Sequence, residues 1–120
     1  MTTSELPIAV RRRDGVAVID LVGDVNGRAE RALDAAWAEA TRERPGAVVL
    51  NFEAAGFINS TGIALIVGLL ASARAHAIPI RAYGLSPHYR EIFEITRLAD
   101  FLAINPDEDS AVLGAERSSA

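Results

Sequence analysis

The run Phe57-Ile58-Asn59-Ser60-Thr61-Gly62-Ile63-Ala64-Leu65 holds the residues best placed to do chemistry. It follows Ala47 to Phe52, which reads as a buried strand, and opens the apolar segment Ile63 to Ala75, which reads as a helix. The hydroxyls of Ser60 and Thr61 therefore stand where a helix begins, beside backbone N–H groups that lack intrahelical partners. Such a position has two uses. Ser60 or Asn59 can cap the helix, worth about 0.5–2 kcal/mol. Ser60 can also receive a phosphoryl group, whose charge of about -1.5 to -2 is well tolerated at a helix N-terminus. One hydroxyl can serve both ends at different times.

Two further loops accompany this one. Gly23-Asp24-Val25-Asn26 follows a strand, with Asn26 suited to cap the next helix. Asp24 is either a plain turn carboxylate or, if its strand neighbours the one before Ser60, a group beside that serine. Gly84-Leu85-Ser86-Pro87 reads as a connection whose Ser-Pro pair starts a helix, with Pro at its first position. Loops at the carboxyl ends of parallel strands gather on one edge, so Asp24, Ser60 and Ser86 are expected on one surface.

Enzyme chemistry finds little support. His76 ends a helix and His88 opens another, so neither has metal-ligand spacing. Ser60 lacks a Gly-x-Ser-x-Gly elbow, and no glycine-rich phosphate cradle occurs. All 12 basic residues are Arg, and the absence of Lys excludes a P-loop lysine or a Schiff base. The absence of Cys excludes thiol catalysis, thiolate metal sites and disulfides. The expectation is a non-enzymatic protein without cofactor or metal. A net charge of -4 argues against direct nucleic-acid binding, which needs a positive face.

The positioning elements follow from pattern. With 120 residues, half of them hydrophobic, one packed domain is expected, its core at about 8–104 and its ends, including Glu116 to Ala120, frayed. Ile8 to Arg12 and Val16 to Val22 form a hairpin about Asp14-Gly15. A helix is expected over Gly27 to Glu43, with Ala32, Leu33, Ala36, Trp37 and Ala40 on one stripe. Ala47 to Phe52 is the next strand, Glu53 to Gly56 a loop, and the Ser60 helix closes at His76-Ala77. Ile78 to Tyr83 is a strand, and a helix carrying Tyr89, Ile92, Phe93, Ile95 and Leu98 follows. Phe101 to Ile104 reads as a last short strand and Pro106 onward as an acidic tail.

This ββαβαβα order implies an α/β fold. Its mixed sheet combines an N-terminal hairpin with parallel strands joined by right-handed crossovers, packed with about four helices. The Ser60 helix has almost no polar face before Arg74, so it is either packed on all sides or partly open to a partner, with dense packing the first reading. Met1 to Glu5 lack a signal-peptide layout, and Gly62 to Ala73 is shorter than the ~20 residues that span a bilayer. A cytoplasmic protein without membrane insertion is expected.

The element order, Gly23-Asp24-Val25-Asn26, and Val49 to Phe52 leading into Phe57 to Ala64 resemble the STAS domain over about Ile8 to Ile104. Within that family the chain is most similar to bacterial anti-sigma factor antagonists. The resemblance implies that an anti-sigma factor, itself a serine-protein kinase, binds the unphosphorylated antagonist and releases its sigma factor. Phosphorylation of the serine in an Asp-Ser-(Ser/Thr)-Gly motif ends binding, and a PP2C-type phosphatase resets the cycle. By position Ser60 matches the phosphorylated serine, and Thr61 and Gly62 match the residues after it. Asp24 matches an acidic residue near the partner surface, Asn26 replaces an Asp of that element, and Asn59 replaces the usual Asp. An amide keeps the cap but loses a charge. Asp24, Asn26, Asn59, Ser60, Thr61, Gly62 and Ser86 are thus the expected partner-binding residues. STAS domains also serve transport assemblies, so a constitutively bound accessory subunit of a membrane transport complex is the alternative.

Overall fold

The computed structural model describes residues 8–114, so the fraying expected at the two ends lies outside the described residues. Asp14 and Gly15 both take left-handed backbone (φ 53 and 78), the conformation an Asp-Gly hairpin turn requires. Strand β1 (Ala9–Arg13) accordingly pairs antiparallel with β2 (Val16–Val25). Strands β3 (Val48–Ile58), β4 (Ile80–Tyr83) and β5 (Ala103–Asn105) then add in parallel, giving the five-stranded order β1-β2-β3-β4-β5. Helices α1 (Glu30–Thr41), α2 (Ser60–Ala75), α3 (Pro87–Ile95) and α4 (Glu108–Leu113) complete a mixed α/β fold.

Alternation along the strands sorts the core into two layers. Ala17, Ile19 and Leu21 of β2, with Leu50 and Phe52 of β3, join one cluster with Leu33 and Ala36 of α1, Ile66 and Leu70 of α2, and Phe93 of α3. Val16, Val18, Val49 and Tyr83 form a second cluster with Ala111 and Val112 of α4. Both faces of β2 are thus covered, which is why its sequence is more uniformly apolar than that of β1. Phe52 and Phe93 meet edge to face at 6.0 Å between ring centres.

Several boundaries differ from the sequence expectations. Gly23-Asp24-Val25, read as a break, continues β2: Gly23 (φ 89) sits in an irregular stretch of the ladder, and pairing resumes at Val25↔Ile58. Glu53 to Gly56, read as a loop, belongs to β3 because β2 supplies a partner that far along. The last strand begins at Ala103 rather than Phe101, whose ring instead receives the Arg74 guanidinium at 5.4 Å. The opening turn of the first expected helix, Gly27–Ala29, is 3-10, with the α-helix starting at Glu30.

Two corrections matter more. The acidic segment after Pro106 holds helix α4, started by a capping box between Asp107 and Ser110. Its docking is ionic as well as apolar: Glu108 accepts from Arg11 (2.9 Å), Arg13 (2.8 Å) and the Tyr83 hydroxyl (2.6 Å). Hydrogen bonds from Arg11, then Tyr83, hold the Glu108 carboxyl down at about 2. Arg11 also grips Asp20, which is held below the usual carboxylate range for that reason.

Helix α2 is the other. Gly62, Ile66, Leu69, Leu70 and Ala73 are buried, but Ala64, Val67 (44% exposed), Gly68 and Ala71 face outward. Dense packing on every side is not what the fold achieves, because the sheet covers only one face of a helix in this layer. No helix among the described residues is long and apolar enough to cross a membrane.

Candidate functional site

Asn59 decides where α2 begins. Its backbone is extended (φ -89, ψ -176), and its carboxamide oxygen accepts the Gly62 N–H at 2.8 Å. The amide, not a hydroxyl, is therefore the cap. Ser60 is the first helical residue and is exposed, and among the described residues no hydrogen bond engages its side chain. Of the two capping candidates in the sequence, the structure selects Asn59 and leaves the Ser60 side chain without a hydrogen bond among the described residues.

Contacts among β2, β3 and α2 hold this start in place. The Asn59 N–H donates to the Val25 carbonyl at 3.2 Å. Gly62 lies so close to the same carbonyl that a β-carbon there would overlap it. The Thr61 methyl approaches Gly27, 3.6 Å from where a β-carbon on Gly27 would stand. Asn26, beside Val25, accepts the Arg28 N–H at 2.9 Å and caps the 3-10 turn, the capping role foreseen for it.

Asp24 does project toward the serine segment. Its carboxylate accepts the Phe57 N–H at 2.9 Å and fills the space beside Gly56, where a β-carbon would collide with it. Ser86 caps α3, accepting the Tyr89 N–H at 3.2 Å. Tyr89 then reaches across so that its hydroxyl accepts the Ile58 N–H at 2.9 Å, two residues before Ser60. Asp24 and Ser86 consequently line one groove of about 440 Å³, together with Glu53, Phe57, Leu85 and Tyr89.

Three of these residues escaped the sequence reading. In the sequence Tyr89 is simply one of the residues its helix carries, although a half-buried phenol must find a polar partner. Phe57, part of the diagnostic run, is 77% exposed. Glu53 was placed in a loop and instead stands on β3. Neither histidine is hydrogen-bonded to Ser60 among the described residues: His76 Nδ1 meets the Ser72 carbonyl at 2.9 Å, and the His88 ring stacks edge-on against Tyr89. Among the described residues no cluster of three His, Asp or Glu could hold a metal ion.

The surface so built presents the exposed Ser60 hydroxyl at a helix start, beside the outward apolar face of α2. Comparison with known proteins narrows its meaning. A family model described as the STAS domain matches residues 7–111. An anti-sigma factor antagonist from Mycobacterium paratuberculosis has a similar structure, with a TM-score of 0.75, 19% identity, and coverage of 94% of this chain and 97% of that one. The phosphorylated form of the Bacillus cell fate determinant SpoIIAA is similar at a TM-score of 0.67 and 22% identity, covering 88% and 96%. A sulfate transporter family protein from Wolinella succinogenes gives 0.64 at 15% identity, covering 73% and 71%. No curated protein matches the sequence.

Proposed function

This chain belongs to the STAS domain family, and on that premise we propose that it is an anti-sigma factor antagonist switched off by phosphorylation of Ser60. The unmodified protein binds an anti-sigma factor that is also a serine-protein kinase, and the bound sigma factor is released. The kinase then transfers phosphate. The Ser60 oxygen attacks the γ-phosphorus of ATP, a P–O bond forms, the bridging P–O bond breaks to leave ADP, and a base of the kinase takes the hydroxyl proton. A PP2C-type phosphatase hydrolyses the ester and restores the hydroxyl.

One observation carries this reading: Ser60 is exposed at the helix start while Asn59 does the capping. A phosphate can be added without removing the bond that starts α2. The new charge, about -1.5 to -2, is accepted by the helix N-terminus yet opposes docking against an acidic or apolar partner. Asp24, Asn26, Asn59, Thr61, Gly62 and Ser86 build and border the docking face around it. Asn59 in place of the family's Asp keeps the cap without a carboxylate beside the hydroxyl.

The test combines an anti-sigma serine kinase, ATP and phosphopeptide mapping. Ser60→Ala should bind the kinase and accept no phosphate, and Ser60→Asp should bind more weakly. Equal binding by both variants refutes the switch.

The outward apolar face of α2 favours one alternative, a constitutive accessory subunit of a membrane transport complex. In that case both Ser60 variants bind like the parent, and a charge at Val67 abolishes the complex.

A further inference from the structure

Strand β3 outruns the strand beside it. Its pairing with β4 stops at Asn51↔Tyr83, whereas pairing with β2 continues through Ala54, Ala55 and Ile58. The chain leaves β4 through Gly84 (φ +85), which packs so tightly on Glu53 that a β-carbon would collide with it. Beyond Gly84, from Ala54 to Gly56, one edge of β3 therefore has no strand beside it among the described residues, while the flanking Glu53 and Phe57 N–H groups donate to Asn51 and Asp24. Unpaired strand edges present backbone donors and acceptors to any extended chain that reaches them.

The 440 Å³ groove runs along this open edge. Phe57, Leu85 and Tyr89 give it apolar walls, and the 77% exposed Phe57 ring is a ready anchor for an apolar side chain. Its charged lining consists of the carboxylates of Asp24 and Glu53, with no Arg among the lining residues. Asp24 uses one oxygen on the Phe57 N–H, and a carboxylate has acceptor capacity to spare. An incoming acidic segment would be repelled here and a basic one attracted.

We propose that the free edge of β3, Ala54 to Gly56, takes up an extended segment of a partner protein that alternates basic and apolar residues, as an added parallel or antiparallel strand. The main chain of Ala54 to Gly56 supplies the hydrogen bonds, Asp24 and Glu53 select Lys or Arg, and Phe57 with Leu85 receives the apolar side chains. Ser60 does not line this groove, so the site works whether or not the hydroxyl carries phosphate.

The experiment titrates ¹⁵N-labelled protein with a short blocked peptide alternating Lys and Val, and separately with one alternating Glu and Val. The Lys peptide should shift the amide signals of residues 53–57 and slow their hydrogen exchange, while the Glu peptide leaves them unmoved. Phe57→Ala and Glu53→Lys should each weaken binding about tenfold or more. Ser60→Ala and Ser60→Asp should bind the peptide equally, which separates this site's failure from failure of the antagonist reading. Absence of shifts at 53–57, equal response to both peptides, or shifts confined to α2 overturns the proposal. If dilution of the protein alone moves the same amides, the occupant is a second copy of the chain and the proposal also falls.

Discussion

Gly62 and the Val25 carbonyl oxygen are in such close approach that residue 62 has no room for a β-carbon. This contact, together with the Asn59 cap, holds the start of α2 against β2. Gly62→Ala should cost about 1–3 kcal/mol, the usual penalty for overpacking against rigid backbone. Gly27→Ala, whose nearest neighbour is a methyl group at 3.6 Å, should stay within about 1 kcal/mol of the parent. Urea denaturation of the two variants measures the difference.

Replacing the cap tests whether Ser60 can substitute for it. Asn59→Ala removes the acceptor of the Gly62 N–H and should cost about 0.5–2 kcal/mol. Asn59→Asp keeps the acceptor and places a negative charge at the helix N-terminus, a gain of about 0.3–1 kcal/mol at low salt. Thermal melts at low and high ionic strength separate the two contributions, since only the charge is screened.

Acid should loosen α4 through Glu108. Its carboxyl is lowered from an ordinary 4.5 to about 2 by Arg11, Tyr83 and Arg13. A depressed carboxylate stabilises the fold above its unfolded value and loses that contribution as pH falls through the folded one. Stability should therefore decline as pH drops from about 4.5 toward 2, and Glu108→Gln should flatten that decline while lowering stability at neutral pH. The surviving acid dependence of the Gln variant reports Asp20 and Asp107, which are shifted in the same direction. Denaturation midpoints across this range provide the check.

Adjacent residues of α2 should behave oppositely. Ile66 is 1% exposed, and Ile66→Ala should cost about 2–5 kcal/mol. Val67 is 44% exposed, and Val67→Arg should change stability by no more than about 0.5 kcal/mol. Partner capture by the Val67 variant then reads docking on the outward face without interference from misfolding.

Short-range pattern carried much of this outcome. Asp14-Gly15 forms the hairpin turn, the alternation in β2 divides two core layers, and Ser86-Pro87 opens α3. Asn26, Asn59 and Ser86 all cap, as their side chains permit. The family motif also placed Ser60 at a helix start, because a polar residue before an apolar run is a local signal with a local cause.

What remained hidden depends on groups far apart in the chain. The sequence allowed either Asn59 or Ser60 to cap, and only the backbone path past Val25 brings the Asn59 oxygen onto the Gly62 N–H. Glu53 to Phe57 has no strand pattern of its own and is drawn into the sheet by β2. Helix α4 depends on Arg11 and Arg13, some 97 and 95 residues before Glu108. Tyr89 joins the site through a single hydroxyl contact with Ile58. Periodicity records which side of an element turns inward, whereas pairing partners and ion pairs exist only once distant segments have met.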